Sequence, residues 1–408
     1  DGADELGIRY LISGRKMWIS AGDQNVTDNI FHLVLGKVVG SDGSVIAGAK
    51  GTTLFVVPKI LPDGRRNDVA VAGLNHKMGY RGTPNCLLNF GEAGGAVGWK
   101  IGAEGEGLRI MFQMMNEARV NVGLSGAALA YRGFELSRRY ASERIQGRSV
   151  LDKTADEPVR LNRHPDVRRM LLAQKAIAEG SLALCLKGAM LADLASHGAD
   201  ESIRKNAHDL LSLLTPVVKT WPSESALTAL NQAIQIHGGY GYTRDFDVEQ
   251  LYRDARLNPI HEGTTGIQAI DLLGRKILFE DGKSFDLLLS EIRRDAHGGD
   301  AFEEEAATLS GLCDWFETLV RGELALGRKG VALANASGFL DAFGHFVTGW
   351  IWLGMARAAA ATNDRVMAEQ KAWTCRYYFA AEVPKIKGLV SLLVSSPDLL
   401  PTVPEGVV

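Results

Sequence analysis

The stretch Glu104–Met115, EGEGLRIMFQMM, decides the fold of this chain, because the pattern of apolar residues changes within it. Before it, apolar residues occur in short runs separated by turn-forming residues. Within it, Leu108, Met111, Met114 and Met115 recur at helical spacing, and further helical patterns follow. We therefore expect an α+β fold, with a β domain first and helices after it.

Residues 1–103 are predicted to form an antiparallel β-sheet or barrel domain. Short runs rich in β-branched or aromatic residues alternate with Gly, Asp, Asn or Pro, and Ser41–Ser44 is a turn signal. No long helical pattern separates the runs, which favours antiparallel pairing over a βαβ fold. The predicted strands cover residues 10–12, 16–20, 30–35 and 53–57.

Residues 104–283 are predicted to form an antiparallel four-helix bundle. Gly147 and Pro158, among many charged residues, indicate a long loop at 145–164 between the first two helices. The helical patterns cover about 104–143, 165–197, 200–237 and 263–280.

Residues 284–408 are predicted to form an additional C-terminal helical domain. Its most apolar stretch, Val331–Ala361, contains Asp341, His345 and Arg357, which a membrane span would tolerate poorly. A buried helix pair is therefore expected there, and no membrane span.

Composition excludes several classes of protein. The 408 residues are 46% hydrophobic and 23% charged, as in a soluble globular protein of two or three domains. The net charge of -3, without an obviously basic face, argues against nucleic acid as a partner. The four cysteines form no CxxC pair, so neither a zinc site nor a disulfide framework is expected. Because the chain begins at Asp1 with residues typical of a domain interior, we expect a truncated or processed chain.

The segment Asn258–Gln268, NPIHEGTTGIQ, carries the strongest functional signal. Pro259 disfavours helix before it, and Thr264 or Thr265 is a candidate cap for a helix that follows. Local chemistry leaves two interpretations of Glu262 open. Its carboxylate either complements the helix dipole or serves a site where free N–H groups suit an anionic cofactor.

Three further segments have both an ordinary and a functional interpretation. In Gln235–Tyr242, QIHGGYGY, paired glycines suit either a helix C-cap or close approach of a ligand. In Met17–Ser20, an aromatic residue near a hydroxyl suits either a core strand or the flank of a planar ring. Arg144 suits either a solvated helix end or a phosphate contact.

Taken together, these segments resemble the acyl-CoA dehydrogenase family in order and spacing over about residues 8–280. The loop at 145–164 and the block 284–408 resemble an enlarged bacterial branch, which includes 3-methylmercaptopropionyl-CoA dehydrogenases. The matching motifs are KMWIS (16–20), NEAR (116–119), ERIQGR (143–148), QIHGGYGYTRD (235–245) and HEGTTGIQ (261–268).

The resemblance implies αβ-dehydrogenation of an acyl-CoA thioester to the trans-2-enoyl-CoA. Glu262 would remove the α-proton as catalytic base, and the β-hydrogen would pass as hydride to N5 of FAD. Arg119 and Gly263 would bind substrate. The implied flavin contacts are Trp18 and Ser20 at the isoalloxazine ring, Arg144 and Gln146 near the pyrophosphate, Gln235, Gly238 and Gly239 from a neighbouring subunit, and Thr264 at the adenine end.

The resemblance also implies a homodimer or larger oligomer, an electron-transfer flavoprotein as partner, a role in fatty acid β-oxidation and lipid metabolism, and a bacterial cytoplasmic location. An acyl-CoA oxidase, or a non-catalytic flavin- or CoA-binding assembly subunit, are the alternatives. Asp254 or Glu249 would be the alternative base.

The sequence departs from the family pattern at several positions. His261 stands where an aromatic is frequent, and Gly266 where shorter members commonly have Gln. Asn116 and Glu117 differ from the Asp-Lys of shorter members, so Arg119 alone is carried over from that motif. Members usually begin with an α-helical domain and a flavin-contacting strand-loop motif. We expect these as another chain or as a region outside this sequence.

Overall fold

The computed structural model describes residues 2–151, 157–279, 282–298, 301–324 and 327–407, without the side chains of 113, 116, 323 and 324. Part of the predicted loop at 145–164, residues 152–156, and the side chain of Asn116 therefore lie outside the description. The chain divides into two compact units, Asp1–Glu117 and Ala118–Val408.

The first unit contains two antiparallel sheets. The five-stranded sheet has the order β1-β2-β8-β5-β4, and the three-stranded sheet the order β3-β7-β6. The predicted antiparallel pairing is confirmed, and the described strands form these two sheets rather than one barrel. The strands are β1 (Gly2–Asp4), β2 (Gly7–Ile12), β3 (Gly14–Ser20), β4 (Phe31–Lys37), β5 (Thr52–Pro58), β6 (Val69–Leu74), β7 (Asn85–Phe90) and β8 (Ala96–Ile101).

The run Thr53–Val57 forms the most buried part of its sheet, because β5 pairs with β4 on one side and β8 on the other. Phe55 and Val57 are buried and pack in one cluster with Leu88 and Phe90 of β7. A strand flanked on both sides and buried on both faces needs a nearly continuous apolar run, as this one has.

Three long helices open the second part of the chain, and the predicted helical patterns are confirmed. The pattern predicted at 263–280 begins as an α-helix but continues as a π-helix, in which the hydrogen bonds span one residue more. The elements are α1 (Gly107–Glu143), α2 (Pro165–His197), α3 (Glu201–His237), α4 (Val248–Ala255), α5 (Thr265–Ile270) and the π-helix Asp271–Phe279.

The C-terminal block is helical, as predicted. The apolar stretch 331–361 forms the end of one helix and a second, buried helix with Phe339, Phe343 and Trp352 in its core. The elements are α6 (Lys283–Ala296), α7 (Glu303–Thr318), the π-helix Leu319–Leu324, α8 (Lys329–Ala334), α9 (Ala336–Ala360), α10 (Arg365–Ala381), α11 (Lys385–Leu389), α12 (Ser391–Ser395) and α13 (Leu399–Thr402).

One hydrophobic core joins this block to the preceding helices. Leu213 and Trp221 of α3 share a cluster with Leu272, Phe343 and Tyr378. The domain boundary predicted at 283/284 stays a prediction, since the core is continuous across it. Among the described residues, no helix has the length and apolar character needed to cross a membrane, and no group of side chains is arranged to hold a metal ion.

Candidate active site

The segment that contains Glu262, whose carboxylate is the predicted base, is a turn that leads into α5. Thr264 is the N-cap, as one of the two predicted candidates, and its Oγ1 accepts a hydrogen bond from the Ile267 N–H at 3.4 Å. The preceding backbone is held by a hydrogen bond from the Thr265 N–H to the Pro259 carbonyl, at 3.1 Å. The local sequence thus determines where α5 begins, and Glu262 lies two residues before its cap.

The backbone at Glu262 adopts a left-handed conformation that is unusual for a residue with a side chain. Its φ is 53°, and that of Gly263 is 87°. A non-glycine residue in this region costs roughly 1–2 kcal/mol, so surrounding contacts must enforce it. The Glu262 side chain is exposed. Among the described residues, the N–H groups of Glu262 and Gly263 have no hydrogen-bond acceptor.

The carbonyl side of the same turn, in contrast, is firmly held. The ammonium of Lys219, a fully buried residue of α3, donates to the carbonyls of Asn258 and Gly263, each at 2.8 Å. The Gln268 amide donates to the Glu262 carbonyl at 3.1 Å. These contacts hold the carbonyls in place while the Glu262 side chain stays exposed and the two N–H groups stay unpaired.

Sequence reasoning missed Lys219. Its signal was a lysine within the otherwise uncharged stretch Leu213–Trp221 of a predicted helix. Burial lowers the pKa of Lys219 to about 8. The nearby Glu224 carboxylate opposes this effect and raises the pKa. Arg119 lowers the pKa further, and Glu262 raises it.

Arg119 is buried and forms an ion pair with Asp271 at 3.3 Å between Nη1 and Oδ2. Asp271 is also 3.3 Å from Nη1 of Arg275 on the next turn. The prediction that Arg119 binds substrate stays a prediction. Its partner Asp271, the first residue of a π-helix, carried no recognisable signal in the sequence.

The other predicted acids are less suited to act as a base. Glu249 forms an ion pair with Arg253 at 2.7 Å within α4, and Asp254 is buried. Glu262, in contrast, is exposed and forms no ion pair among the described residues.

Two separate predicted flavin segments line one cavity of about 800 Å³. Arg144 and Gln146 reach it from the end of α1, and Gln235, Gly238 and Gly239 from the end of α3. The backbone beyond α1 is fixed by pairing with residues 159–161, through Gln146 N–H to Val159 O at 3.0 Å and Leu161 N–H to Arg144 O at 2.9 Å.

The paired glycines leave open space at this cavity. Gly238 ends α3 with a φ of 61°, which confirms the helix C-cap interpretation. A Cβ at Gly238 or Gly239 would meet no protein atom within 4 Å. The glycine pair is therefore both a cap and an exposed backbone surface, and the two interpretations left open by the sequence are compatible.

Trp18 is not a core residue, in contrast to its ordinary interpretation. Strand β3 shifts register against β7 between Lys16 and Ile19, a bulge in which Trp18 takes a φ of 66° and is 70% exposed. Ser20 is exposed and accepts a hydrogen bond from the Asn85 amide at 3.3 Å. The predicted roles of both residues stay predictions.

Comparison with known proteins confirms the family resemblance. The profile described as "Acyl-CoA dehydrogenase, C-terminal domain" matches residues 105–278, and "Acetyl-CoA dehydrogenase C-terminal like" matches residues 288–403. A 3-methylmercaptopropionyl-CoA dehydrogenase from Ruegeria pomeroyi is 38% identical over 86% of this chain and 60% of its own length. The chain belongs to the acyl-CoA dehydrogenase family.

Two further members of the acyl-CoA dehydrogenase family are similar. A broad-specificity linear acyl-CoA dehydrogenase from Mycobacterium tuberculosis is 35% identical over 87% of this chain and 61% of its own length. The structure of a Bacillus anthracis acyl-CoA dehydrogenase complexed with FAD superposes with a TM-score of 0.72 at 18% identity, covering 95% of this chain and 64% of that one, and shows the shared fold. The chain thus spans about 60% of the length of the curated relatives named here.

Proposed function

We propose that this chain supplies the catalytic base and part of the flavin site of an FAD-dependent acyl-CoA dehydrogenase. The observation that carries the proposal is the Glu262 turn. An exposed carboxylate lies beside two N–H groups that have no acceptor, in a left-handed backbone that costs free energy. Helix-dipole compensation alone would not require such a backbone.

In this proposal, Glu262 removes the α-proton of the acyl-CoA. Such a proton is weakly acidic, so the thioester oxygen must be stabilised as negative charge develops on it. The unpaired N–H groups of Glu262 and Gly263 are suited to that role, since successive N–H groups in a turn form an anion-binding concavity. Base and oxyanion donors would then belong to one short segment.

The residues that line the cavity of about 800 Å³ fit a flavin nucleotide. Arg144 provides a cation for phosphate, Gln146 and Gln235 provide amides, and Gly238 and Gly239 leave room for close backbone approach. Trp18 and Ser20 are proposed to lie at the isoalloxazine ring, and Thr264 near the adenine. When bound, FAD accepts the hydride that leaves the substrate β-carbon.

The proposal includes an assembly and a partner. Since Arg144 and Gln146 line the same cavity as Gln235, Gly238 and Gly239, both sets are proposed to serve one FAD that is shared with a neighbouring subunit, in at least a homodimer. The proposed electron acceptor is an electron-transfer flavoprotein. A bacterial cytoplasmic location is also proposed; the relatives named above are bacterial.

The test is Glu262→Gln in the FAD-loaded protein, with Glu249→Gln as the matched control on α4. The amide keeps the size of the side chain but lacks a basic oxygen, so anaerobic reduction of the flavin by acyl-CoA should slow by at least about a thousandfold. The control should reduce its flavin at nearly the wild-type rate.

FAD content should be equal in both variants, because the proposed flavin contacts do not include either carboxylate. Near-normal flavin reduction in Glu262→Gln would disprove the assignment of the base. Stoichiometric hydrogen peroxide formation under air by the wild-type protein would identify an oxidase instead.

A further inference from the structure

The buried Lys219 holds the backbone of the Glu262 turn at two points. Its ammonium donates to two carbonyl oxygens, those of Asn258 and Gly263, and Lys219 itself has no exposed surface. Among the described residues it forms no ion pair with a carboxylate. A buried ammonium held by carbonyl oxygens alone is costly, so its presence needs an explanation beyond packing.

The two acceptors lie on either side of Glu262 in the chain. One nitrogen atom therefore joins the start of the turn to its end, while the Gln268 amide holds the carbonyl of Glu262 itself. A left-handed residue persists only where the surrounding contacts determine its conformation. Lys219 and Gln268 provide such contacts from the carbonyl side, and the opposite side stays open.

We propose that Lys219 is a positioning residue for Glu262: by fixing the backbone on both sides of it, the ammonium sets the direction in which the carboxylate meets the substrate. The inference rests on the proposed function, in which Glu262 is the base. A displacement of about 1 Å of a reacting group can cost about a hundredfold in rate. Lys219 would thus contribute to turnover without touching substrate.

The charges around Lys219 are compatible with this role. Glu224 on the same helix and Glu262 on the turn favour the charged ammonium, whereas Arg119 on α1 opposes it. Asp271 in turn pairs with Arg119. The two carboxylates offset only part of the cost of burial, which still lowers the pKa of Lys219 to about 8.

The test compares Lys219→Met with Lys276→Met in the FAD-loaded full chain. Methionine has a similar length but no donor, and replacing a buried charge with an apolar group of similar size is often tolerated by the fold. Lys276 is a matched control, because its ammonium bonds Ser212 of the same α3 at 2.6 Å, away from the turn. Circular dichroism, FAD content and substrate-analogue affinity would establish folding and binding.

Lys219→Met should reduce its flavin about a hundredfold more slowly in anaerobic single turnover, with substrate-analogue affinity unchanged. Lys276→Met should stay near wild type. In the Glu262→Gln background, Lys219→Met should cause little further loss, because a residue that acts through Glu262 has nothing left to position. A purely structural residue would lower rate or binding in both backgrounds.

Each outcome is decisive. A normal rate in Lys219→Met, or a second hundredfold loss in the Glu262→Gln background, would overturn the positioning role. If Lys219→Met loses its FAD, Lys219→Gln replaces it, and failure of both to fold would assign Lys219 to folding alone. If Glu262→Gln itself reduces its flavin normally, the proposed function fails, which is a separate result from the failure of Lys219.

Discussion

Gly123 is the position at which a single methyl group should measurably loosen the helical bundle. A Cβ there would lie 2.0 Å from the carbonyl oxygen of Val218 on α3, whereas real Cβ contacts are almost never shorter than 3.0 Å. Gly123→Ala therefore requires α1 and α3 to separate by about 1 Å. The obstacle is backbone, so it cannot rotate away as a side chain would.

The expected magnitude follows from two opposing effects. Overpacking costs about 1–3 kcal/mol, with the upper end expected for a backbone obstacle. Alanine is better than glycine within a helix by about 1 kcal/mol. The net loss in the free energy of unfolding is then about 2 kcal/mol, which corresponds to a fall in Tm of roughly 2 °C for a protein of this size.

The matched control is Gly311→Ala, the same substitution within α7. A Cβ at Gly311 meets no atom within 4 Å, so this variant should gain about 0.5–1 kcal/mol from helix propensity alone. Both Tm values are read by circular dichroism at saturating FAD. If Gly123→Ala melts at or above the wild-type temperature, the close approach of α1 and α3 is refuted.

Two further predictions concern the flavin and pH. Trp18→Ala removes a side chain that is 70% exposed, so Tm should hardly change. The Kd for FAD, measured by flavin fluorescence titration, should rise about tenfold. An unchanged Kd would show that Trp18 is not part of the flavin site. Burial lowers the pKa of Lys219 from 10.5 to about 8. Between these pH values the unfolded chain therefore binds more protons than the folded chain. The contribution of Lys219 to the free energy of unfolding should thus increase as pH rises through this window. Urea unfolding at several pH values in this window should show this increase in wild type relative to Lys219→Met, and parallel curves would contradict it.

Much of the fold could be predicted from local sequence. The helices α1, α2 and α3 lie within a few residues of the patterns at 104–143, 165–197 and 200–237. Helical periodicity depends on which face of the helix is buried, and the spacing of apolar residues along the chain shows which face that is. The change to a π-helix at Asp271 was not predictable, because the apolar spacing of 263–280 suits an ordinary helix.

The candidate site was only partly predictable. The motif around Glu262 and the cap at Thr264 are local features, and they identified the segment that the structure presents as an exposed turn. Trp18 is exposed within the register shift between β3 and β7, which is a property of two paired strands rather than of one.

The sequence by itself determined the order of strands and helices and offered candidates for the caps at Thr264 and Gly238, because these depend on neighbours along the chain; the proposed role of Glu262 came from the family resemblance. Only the tertiary structure decided that Lys219 meets carbonyls 39 and 44 residues away. It also decided that Arg144 and Gly238 line one cavity. Such contacts depend on how helices are rotated and spaced against one another, and that arrangement is set by the packing of the whole core rather than by any local pattern.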